Sequence, residues 1–457
     1  MPRPHVVVVG GGISGLAAAW ELRADAAVTV VEASGRLGGK LATSEVAGRA
    51  VDEGAESFLA RVPDAVGLVR ELGLGDRLAY PATASAWVWT RGRLRALPAR
   101  TLLGVPADLR TLGRSRVLSW PGLLRAMADL GRTGGRFGAD QAVGAFVGRR
   151  LGREVVERLV DPLLGGVYAG RADELSVAAT MPALAAAAAR GGSLVRAARR
   201  GLAAAPSAGP VFATLAGGLG ALPTVLGARL AAEGVVVRTG HPVRELARTS
   251  DGGWRLVLGD GTAGGERLDA DAVILALPAA PAARLLRPLF PSVAAGVAGI
   301  DYASVAIVTL AYPKGAAARA TGSGFLVPAV DHRLIKAATF ASAKWAHLAG
   351  ELAVIRCSVG RYGDVGDLQR DDADLVAGAA DDLAAAIGAS RPVESRVSRW
   401  GGALPQYTVG HLDRVTRIRA GLAGLSGIAV CGAAYDGVGI AACIRSGRSA
   451  GRAVMPR

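Results

Sequence analysis

Residues 5–32 read HVVVVGGGISGLAAAWELRADAAVTVVE, and most of what can be inferred about the fold begins here. The β-branched run from His5 to Val9 predicts a strand, and Leu16 to Leu22, rich in good helix formers, predicts a helix. Val28 to Val31 predict a second strand. Strand, helix and strand in this order form a β-α-β unit, whose two strands run parallel. We therefore predict an α/β fold.

The glycines between the first strand and the helix fit the pattern G-x-G-x-x-G. The first glycine makes the tight turn, the second lets a diphosphate approach the backbone, and the third lets the helix pack closely. The free N–H groups and the dipole of the helix N-terminus favour an anion at this place. The residues predicted to surround the diphosphate are Gly10, Gly12, Ile13, Ser14 and Gly15.

An acid stands where a dinucleotide site needs one. Glu32 ends the second predicted strand, twenty residues after Gly12, and Ala33 follows it. Its carboxylate can accept hydrogen bonds from a ribose diol and would repel a 2′-phosphate. Together with the glycines, Glu32 predicts an adenine dinucleotide, which these residues alone leave open as FAD or NAD.

Two further segments favour FAD. Residues 35–40 (GRLGGK) bring the cations Arg36 and Lys40, with small residues, beside the diphosphate. Residues 52–58 (DEGAESF) begin a loop in which a bulky ring system requires glycine. The loop residues predicted to contact the cofactor are Gly54, Ala55, Glu56 and Ser57.

Length and composition exclude several classes of protein. Of the 457 residues, 51% are hydrophobic, and this composition excludes a disordered or fibrous chain. A chain of this length is too long for one hydrophobic core, so we expect two or three lobes. No apolar run reaches the roughly 18 residues that a membrane-spanning helix needs. The apolar run after Arg3 is too short for the core of a signal peptide, so we expect it to form the first strand. The chain is expected to be cytoplasmic.

Cysteine and histidine usage bears on the chemistry. Cys357, Cys431 and Cys443 form no Cys-x-x-Cys pair, and the five histidines are scattered. This pattern predicts neither a disulfide framework nor a metal site. Any redox chemistry is therefore expected to come from an organic cofactor.

The net charge of +15 is unevenly placed. Residues 91–160 hold fourteen arginines against five acids, within a region from 96 to 200 whose pattern is helical. Val117, Trp120, Leu124 and Met127 recur at spacings of three and four, which predicts an amphipathic helix packed on its own core. Docking at an anionic membrane surface is the alternative. No nucleic-acid-binding module is recognisable, so nucleic acid is not an expected partner.

The Ala-rich and Pro-containing segment 196–210 predicts a linker.

Three separated motifs resemble one family. Residues 32–40 (EASGRLGGK), 216–223 (AGGLGALP) and 431–448 (CGAAYDGVGIAACIRSGR) are similar to segments of the flavin amine oxidase superfamily, which includes monoamine oxidases, phytoene desaturases and porphyrinogen oxidases. The resemblance implies non-covalent FAD in a Rossmann-like domain built from discontinuous segments, beside a mixed-sheet substrate domain and a helical insertion. It also implies that the backbone of Val243 contacts the adenine and that the Trp400 side chain forms a wall beside the flavin. The helix start under the pyrimidine end of the flavin would comprise Val438, Gly439 and Ile440.

The implied domains follow from that resemblance. The FAD-binding domain would comprise residues 1–75, 210–280 and 400–457. The substrate-binding domain would comprise residues 76–95 and 281–399, and the helical insertion, membrane-facing or cavity-forming, residues 96–209.

Two inner motifs point to a subgroup. Residues 163–170 (LLGGVYAG) with 174–176 (ELS), and residues 404–414 (LPQYTVGHLDR), resemble segments of protoporphyrinogen and coproporphyrinogen oxidases. The resemblance implies removal of six hydrogens from a porphyrinogen in haem biosynthesis, by three hydride transfers to flavin N5, with O2 as acceptor and peroxide as by-product. The basic surplus and the composition, typical of a high-GC genome, favour coproporphyrinogen III. Protoporphyrinogen IX is the alternative, and an FAD amine oxidase or carotenoid desaturase is a more distant one.

Substrate contacts are less well defined by the sequence. Arginine matches a carboxylate with two hydrogen bonds, so Arg61 and Arg100 are the candidates for binding propionates, and Tyr168 is the candidate from the first inner motif. No catalytic side chain is predicted, and His411 is interpreted as structural. The chain has Ala441-Ala442 where Pro-Asp commonly precedes the cysteine. Transfer of the product to a ferrochelatase and peripheral contact with a membrane are left open.

Overall fold

The computed structural model of the chain describes residues 3–132, 138–204, 209–259 and 265–455. The strands are β1 (His5–Val9), β2 (Ala27–Val31), β3 (Thr43–Val46), β4 (Arg49–Asp52), β5 (Phe58–Leu59), β6 (Leu78–Ala79), β7 (Trp87–Thr90), β8 (Arg93–Ala96), β9 (Thr101–Leu102), β10 (Val105–Pro106), β11 (Phe212–Leu215), β12 (Val236–Arg238), β13 (Val243–Arg248), β14 (Trp254–Leu258), β15 (Glu266–Ala270), β16 (Ala272–Leu275), β17 (Tyr302–Pro313), β18 (Gly324–Leu326), β19 (Ile335–Phe340), β20 (Leu352–Val359), β21 (Glu394–Pro405) and β22 (Ile428–Val430).

The helices are α1 (Ile13–Leu22), α2 (Pro63–Glu71), α3 (Leu109–Ser115), α4 (Trp120–Met127), α5 (Val143–Leu151), α6 (Arg153–Val155), α7 (Asp161–Tyr168), α8 (Val177–Thr180), α9 (Pro182–Ala188), α10 (Leu194–Ala203), α11 (Ala221–Ala232), α12 (Ala279–Leu286), α13 (Pro291–Ala298), α14 (Ala341–Lys344), α15 (Asp372–Ile387), α16 (His411–Ala423) and α17 (Ile440–Val454). Among the described residues, no helix is both long and apolar enough to cross a bilayer.

A five-stranded parallel sheet with the order β12-β2-β1-β16-β22 forms the first layer. Val6 and Val8 of β1 pack with α1 and α17 on one face, and Val7 and Val9 pack with β13–β15 on the other. Because both faces are buried, the strand is an unbroken run of valines rather than an alternation. The predicted α/β fold, with a Rossmann-like domain assembled from distant segments, is confirmed.

Glycine brings α17 against α1. A Cβ atom added at Gly447 would lie 2.0 Å from the carbonyl oxygen of Ser14, and one added at Gly451 would lie 3.2 Å from that of Ala18. Real Cβ atoms do not approach backbone oxygens as closely as the first distance. The two helices therefore pack at a separation that only glycine permits at residue 447.

A seven-stranded mixed sheet with the order β21-β17-β20-β19-β18-β7-β8 forms the second layer. Its outer face packs on α15 through residues such as Leu375, Ala379 and Leu383. Its inner face turns toward the parallel sheet and carries Val354 and Ala311, which pack with Val51 of β4. Helix α15 thus covers the centre of the outer face, while Ser395 and Arg399 of β21 stay exposed at its edge.

The segment predicted as a linker is largely helical. Helix α10 occupies Leu194–Ala203, so the linker prediction is wrong for residues 196–203, and residues 205–208 lie outside the described residues. Ala and Arg are good helix formers, and the buried side of α10 carries Leu194, Val195 and Ala198. The composition was therefore that of an amphipathic helix.

Helix α4 does not bury the apolar side that the sequence predicts to be buried. Val117, just before the helix, is buried as predicted, but Trp120, Leu124 and Met127 are 79%, 63% and 45% exposed. The prediction that this stripe packs on its own core is wrong for these three residues. The helix buries Ala126 instead.

Helices α12 and α13 lie on the nucleotide-binding side. Ala282, Leu286 and Val297 share a core cluster with Val7 and Leu256. Residues 281–298, assigned above to the substrate-binding domain, therefore pack with the parallel sheet.

Matched alanine substitutions test the α1–α17 contact. Gly447→Ala should destabilise the protein by roughly 1–3 kcal/mol, because the new methyl group meets the Ser14 carbonyl. Gly67→Ala, within α2, should stabilise it by roughly 0.5–1 kcal/mol, because the nearest atom to its new Cβ is 3.9 Å away. Urea unfolding of both variants provides the measurement. Equal effects of the two substitutions would contradict the close contact.

Candidate functional site: a dinucleotide cleft beside a half-open sheet

The turn after β1 has the geometry that its glycines predict. Gly10 adopts φ +110°, and a Cβ there would lie 2.4 Å from the Ala276 carbonyl oxygen. A Cβ at Gly15 would lie 1.9 Å from the Gly10 carbonyl oxygen. A Cβ at Gly12, in contrast, would meet no protein atom within 4 Å. Gly12 therefore leaves open space, which is the place where a diphosphate would lie.

Two helix N-termini remain available for the cofactor. Helix α1 begins after Gly12 and α17 begins after Gly439, and neither has a capping side chain. A Cβ at Gly439 would also meet no atom within 4 Å. Uncapped N–H groups with free space in front of them suit the acceptor oxygens of a ligand. Ile440 starts α17 as predicted, with the half-buried Val438 packed against the helical region.

Glu32 is held in place by backbone and side-chain donors. Its carboxylate accepts hydrogen bonds from the Gly11 N–H at 2.7 Å and from the N–H and hydroxyl of Ser34, each at 2.8 Å. These bonds fix the carboxylate at the carboxyl end of β2, with remaining lone pairs for a ribose diol. Ala33 beside it is exposed, and the predicted adenine contact Val243 is buried at the start of β13.

The two predicted cations differ in their surroundings. Arg36 braces the loop by donating to the carbonyl oxygens of Leu37, Gly39 and Leu41. Lys40 is half-buried, with its Nζ 5.5 Å from the ring centre of Tyr302, and forms no hydrogen bond or ion pair with the described residues. Burial lowers the pKa of Lys40. An amine in this state fits an anionic or hydrogen-bonding ligand beside it.

Loop 53–57 meets both the preceding loop and the second sheet. A Cβ at Gly54 would lie 2.2 Å from the Lys40 carbonyl oxygen and 3.3 Å from Cζ2 of Trp400. The indole Nε1 of Trp400 donates to the Glu53 carbonyl oxygen at 2.9 Å. The structure thus brings together three segments that the sequence predicted separately. Ala55 and Ser57 are half-buried in the same loop.

Glu56 lies in a buried ion cluster. Its carboxylate accepts hydrogen bonds from Lys344 and Arg356, and these three side chains are only 15%, 14% and 7% exposed. Although burial opposes ionisation, the two cations lower the pKa of Glu56 to about 2. Arg356 also donates to the Gly54 carbonyl oxygen at 2.7 Å. The predicted cofactor contact of Glu56 stays a prediction, and the structure shows it joining loop 53–57 to the second sheet.

Half of the second sheet's inner face is open. Ile307 of β17, Ser358 of β20, Ala337 and Thr339 of β19 and Leu326 of β18 are partly exposed, although β17, β20, β19 and β18 are interior strands. On the opposite face, Val308 and Leu310 of β17 and Ile355 and Cys357 of β20 are at most 1% exposed. These residues lie on four adjacent strands, a width of about 14 Å at a strand spacing of about 4.8 Å. We call this partly exposed surface the chamber floor and the space in front of it the chamber.

The chamber lies next to the predicted flavin position. Trp400 pairs with Val305, which precedes Ile307 on the same face of the sheet. At the other end, a Cβ at Gly166 of α7 would be 3.6 Å from Leu326. The chamber is therefore bounded by loop 53–57 with Trp400 on one side and by α7 on the other.

The two inner motifs pack against each other. The amide of Gln406 donates to the Tyr168 carbonyl oxygen at 2.8 Å, and the rings of Tyr168 and Tyr407 lie 5.8 Å apart. The Tyr407 hydroxyl accepts from the Gly437 N–H at 2.7 Å and donates to the Ala433 carbonyl oxygen. The motifs thereby hold the loop that leads into α17. Burial raises the pKa of Tyr168 to about 12, so this side chain is a neutral donor.

His411 and Tyr435 are both buried in this region. The imidazole of His411 stacks on Tyr407 with 4.0 Å between ring centres, and burial lowers its pKa to about 4. A neutral, packed imidazole is consistent with the structural interpretation. The Tyr435 hydroxyl is buried and has no hydrogen-bond partner among the described residues. An orphaned polar atom of this kind beside α17 fits a site that receives a polar ligand.

Three cations at the α7 end of the chamber were not predicted from the sequence. The Lys336 amine donates to the Gly360 carbonyl oxygen at 2.7 Å, Arg361 to that of Val327 at 3.3 Å, and Arg171 to that of Tyr362 at 2.9 Å. Burial, helped by Arg361, lowers the pKa of Lys336 to about 7. The scarcity of lysine is a signal that could have found Lys336, because the chain has only four lysines. Lys40 and Lys344 lie by loop 53–57, and Lys336 lies toward the α7 end.

The two arginines predicted to bind propionates are both exposed. Arg61 donates to the Gly209 carbonyl oxygen at 3.0 Å, and the side chain of Arg100 makes no hydrogen bond to the described residues. Their contact with propionates stays a prediction.

Comparison with known proteins agrees with this architecture. The family model described as "Flavin containing amine oxidoreductase" matches residues 13–455, so the chain belongs to this family, and its cofactor is FAD. The chain is 41% identical over 460 residues to the coproporphyrinogen III oxidase of Mycobacterium tuberculosis, covering 99% of this chain and 97% of that one. It is 32% identical over 485 residues to the protoporphyrinogen oxidase of Bos taurus, covering 98% of each. A crystal structure from Exiguobacterium sp. 255-15 superposes with a TM-score of 0.88 at 32% identity, covering 99% of both chains.

Filling the space at Gly12 should separate cofactor binding from folding. Gly12→Val should lower FAD affinity at least about 100-fold, or about 2.7 kcal/mol, while the apoprotein keeps its stability, because the new side chain meets no protein atom at its Cβ. Isothermal titration with FAD and urea unfolding of the apoprotein give the two measurements. Gly424→Ala, whose Cβ also meets no atom within 4 Å, is the control and should bind FAD normally. Unchanged affinity in Gly12→Val would exclude a diphosphate at this turn.

Removing the Glu56 charge should destabilise the protein in a pH-dependent way. Glu56→Gln should cost roughly 3–5 kcal/mol at neutral pH, because two buried cations lose their partner. Since folding lowers the pKa of Glu56 from its ordinary 4.5 to about 2, its contribution is fully present above pH 4.5 and is lost as the pH falls toward 2. The difference in unfolding free energy between wild type and variant should shrink over that range.

The neighbouring carboxylate provides the control for this experiment. Glu53 pairs with the largely exposed Arg396 at 3.1 Å, so Glu53→Gln should cost at most about 1 kcal/mol. Urea unfolding at several pH values compares the two variants. A Glu56→Gln penalty that is as small as that of Glu53→Gln, or that does not change with pH, would refute the role of the cluster.

Proposed function

We infer that the chain catalyses the oxidation of coproporphyrinogen III to coproporphyrin III in haem biosynthesis, with O2 as the electron acceptor. One porphyrinogen loses six hydrogens, and three O2 are reduced to three hydrogen peroxide. Bound FAD would supply the hydride acceptor, flavin N5, in each of the three two-electron rounds. The relatives named for coproporphyrinogen III oxidation support this substrate.

The observation that carries the proposal is the open inner face of the second sheet. The floor residues Ile307, Ala337, Ser358 and Thr339 are uncharged, and together with Leu326 of β18 they span four strands. A floor of this width suits a flat tetrapyrrole better than a primary amine, whose reacting end is only a few atoms across. Its position beside Trp400 and loop 53–57 would place a macrocycle against the cofactor.

The chain's own groups would position the substrate and exclude water rather than transfer protons. Near the chamber, the imidazole of His411 is buried and neutral, and the Tyr168 hydroxyl keeps its proton at neutral pH because burial raises its pKa to about 12. Rate enhancement would therefore come from holding the reacting methylene bridge in near-attack geometry. The carboxylates of the substrate would lie toward the α7 end, where Lys336 and Arg361 are found.

The charge at that end bears on the choice between the two porphyrinogens. Coproporphyrinogen III carries four carboxylates and protoporphyrinogen IX carries two, so the former gains more from cationic surroundings. Lys336 has no carboxylate partner among the described residues, although the residue is only 6% exposed and its amine donates to a single carbonyl oxygen, that of Gly360. These features support the tetra-anionic substrate.

Turnover of the FAD-saturated protein with both porphyrinogens tests the function. Coproporphyrinogen III should give growing porphyrin fluorescence and three peroxide per porphyrin, with kcat/KM at least about tenfold above that for protoporphyrinogen IX, equivalent to about 1.4 kcal/mol. A reversed ratio would favour the protoporphyrinogen alternative. Flavin that is reduced anaerobically by amines or carotenoid precursors, and by neither porphyrinogen, would refute the proposal.

Filling the chamber tests its role separately from cofactor binding. Ser358→Trp should lower kcat/KM for coproporphyrinogen III at least about tenfold while the protein keeps its yellow FAD, because the indole would occupy the floor. Ser358→Ala, at the same position, should stay within about twofold of wild type. Equal activity of the two variants would show that the substrate binds elsewhere.

A further inference from the structure

Strand β19 contains an irregularity at Lys336. Ile335 pairs with Val359 of β20, but Ala337 pairs with Ser358, so Lys336 is an extra residue on its strand. Ile335 packs in the outer-face cluster, whereas Ala337 belongs to the chamber floor. An extra residue of this kind forms a β-bulge, which re-aims a side chain and is frequent next to functional sites. The bulge therefore sets the direction of the Lys336 side chain.

The amine of Lys336 is held beside a second cation. It donates to the Gly360 carbonyl oxygen at 2.7 Å, and the residue is 6% exposed. The next residue along the chain, Arg361, donates to the Val327 carbonyl oxygen at 3.3 Å. The Val327 N–H in turn donates to the Lys336 carbonyl oxygen at 2.9 Å. Hydrogen bonds to the same backbone segments thus keep the two cations together, and we call Lys336 and Arg361 the cation pair.

The cation pair has unused hydrogen-bonding capacity. A protonated amine can donate three hydrogen bonds, and Lys336 donates one to the described residues. A guanidinium has five N–H donors, and Arg361 uses one of its nitrogens, on Val327. Donors that are shielded from water without partners cost free energy. This end of the chamber therefore fits a ligand group with several acceptor oxygens, as a carboxylate has.

The surrounding charges do not neutralise the cation pair. The charged side chains that act on Arg361 from the neighbouring elements are Asp161 of α7, Arg171 after that helix, and Asp364 and Asp367 of the loop after β20. None of these three acids forms an ion pair with Arg361 or Lys336. Asp382 of α15 is engaged at the neighbouring position, where it accepts from the Ile335 N–H at 3.1 Å. Burial and the charge of Arg361 lower the pKa of Lys336 to about 7. The amine is therefore about half protonated at neutral pH.

We propose that Lys336 captures one carboxylate of the tetrapyrrole, with Arg361 beside it, and that this capture takes up a proton from the solvent. The inference rests on the proposed function and assigns a residue and a proton to substrate binding. The neutral amine binds one proton and becomes an ammonium group, which forms a charge-assisted hydrogen bond with the carboxylate. No covalent bond of the substrate changes in this step. A neutral amine costs less than a buried charge while the chamber is free, since no anion then compensates the charge.

Isothermal titration of the FAD-saturated protein with coproporphyrin III, the stable product, tests the proposal without turnover. Titration in two buffers of different ionisation enthalpy gives the number of protons taken up. The wild type should take up about 0.9 protons per porphyrin at pH 8 and about 0.1 at pH 6, because an amine with a pKa of about 7 is mostly neutral at the first pH and mostly charged at the second. Affinity should fall about tenfold as the pH rises from 6 to 8, because protonating the amine then opposes binding.

Two substitutions at Lys336 separate the charge from the proton uptake. Lys336→Met should bind coproporphyrin III at least about tenfold more weakly at pH 6 and take up no proton. Lys336→Arg should bind without proton uptake at pH 8, because a guanidinium stays charged. Lys314→Met removes an exposed lysine and should behave like wild type. The uncharged tetramethyl ester of coproporphyrin III should bind wild type and Lys336→Met equally and without proton uptake.

The same titrations can overturn the proposal. Coproporphyrin III that binds wild type without proton uptake at pH 8, or with the same uptake in Lys336→Met, would exclude capture by Lys336. Equal affinity of wild type and Lys336→Met at pH 6 would exclude it as well. If Lys336→Met does not fold, wild type and Lys336→Arg decide the question, and equal proton uptake by these two proteins would exclude Lys336.

Turnover reports on the proposed function separately. Protein that oxidises coproporphyrinogen III but binds coproporphyrin III without proton uptake would keep the proposed function and refute the role of Lys336. Protein that takes up a proton on binding coproporphyrin III, loses this uptake in Lys336→Met and oxidises no porphyrinogen would support the role of Lys336 and refute the proposed activity.

Discussion

The ion cluster of Glu56 with Lys344 and Arg356 determines how the two sheets face each other. Loop 53–57 belongs to the nucleotide-binding side, whereas both cations belong to the second sheet and its adjoining helix α14. Because buried charges are costly without partners, the three groups hold one another in a single arrangement. Arg356 extends this arrangement to the Gly54 backbone, which in turn touches Lys40 and Trp400. The width of the cleft beside the cofactor therefore depends on these contacts.

The open inner face follows from how each sheet is covered. The parallel sheet is buried on both faces, as its unbroken valine runs require. The second sheet packs on α15 at the centre of its outer face and is only partly covered on its inner face. A chamber between the sheets therefore needs no special cavity-forming loop. It is the part of the inner face that the nucleotide-binding side and α7 leave uncovered.

Local sequence patterns predicted the helices and strands well, but they did not predict contacts between side chains that are far apart in the sequence. The strand at His5–Val9 and the helix through Leu22 follow from a β-branched run, from good helix formers and from the glycine spacing between them, all of which are local features of the sequence. The Glu56 cluster joins residues 288 and 300 positions apart, and no local pattern signals such a pair. The linker prediction at 196–203 failed because alanine and arginine form helices as readily as they occur in loops. The periodicity through Trp120 identified a helix but could not show which neighbour, if any, covers its apolar side.

The contact between α1 and α17 has a consequence for biosynthesis. Helix α1 is translated before α17, and the two helices are far apart in the sequence, yet Gly447 rests directly on the Ser14 backbone. A growing polypeptide on the ribosome therefore lacks this partner of α1 until residue 447 has been synthesised. Until then, the apolar surface of α1 that α17 covers stays exposed, a condition that favours aggregation. Chaperones that shield nascent chains would protect this stage, and a cofactor whose site includes the start of α17 would be taken up only after α17 has been synthesised.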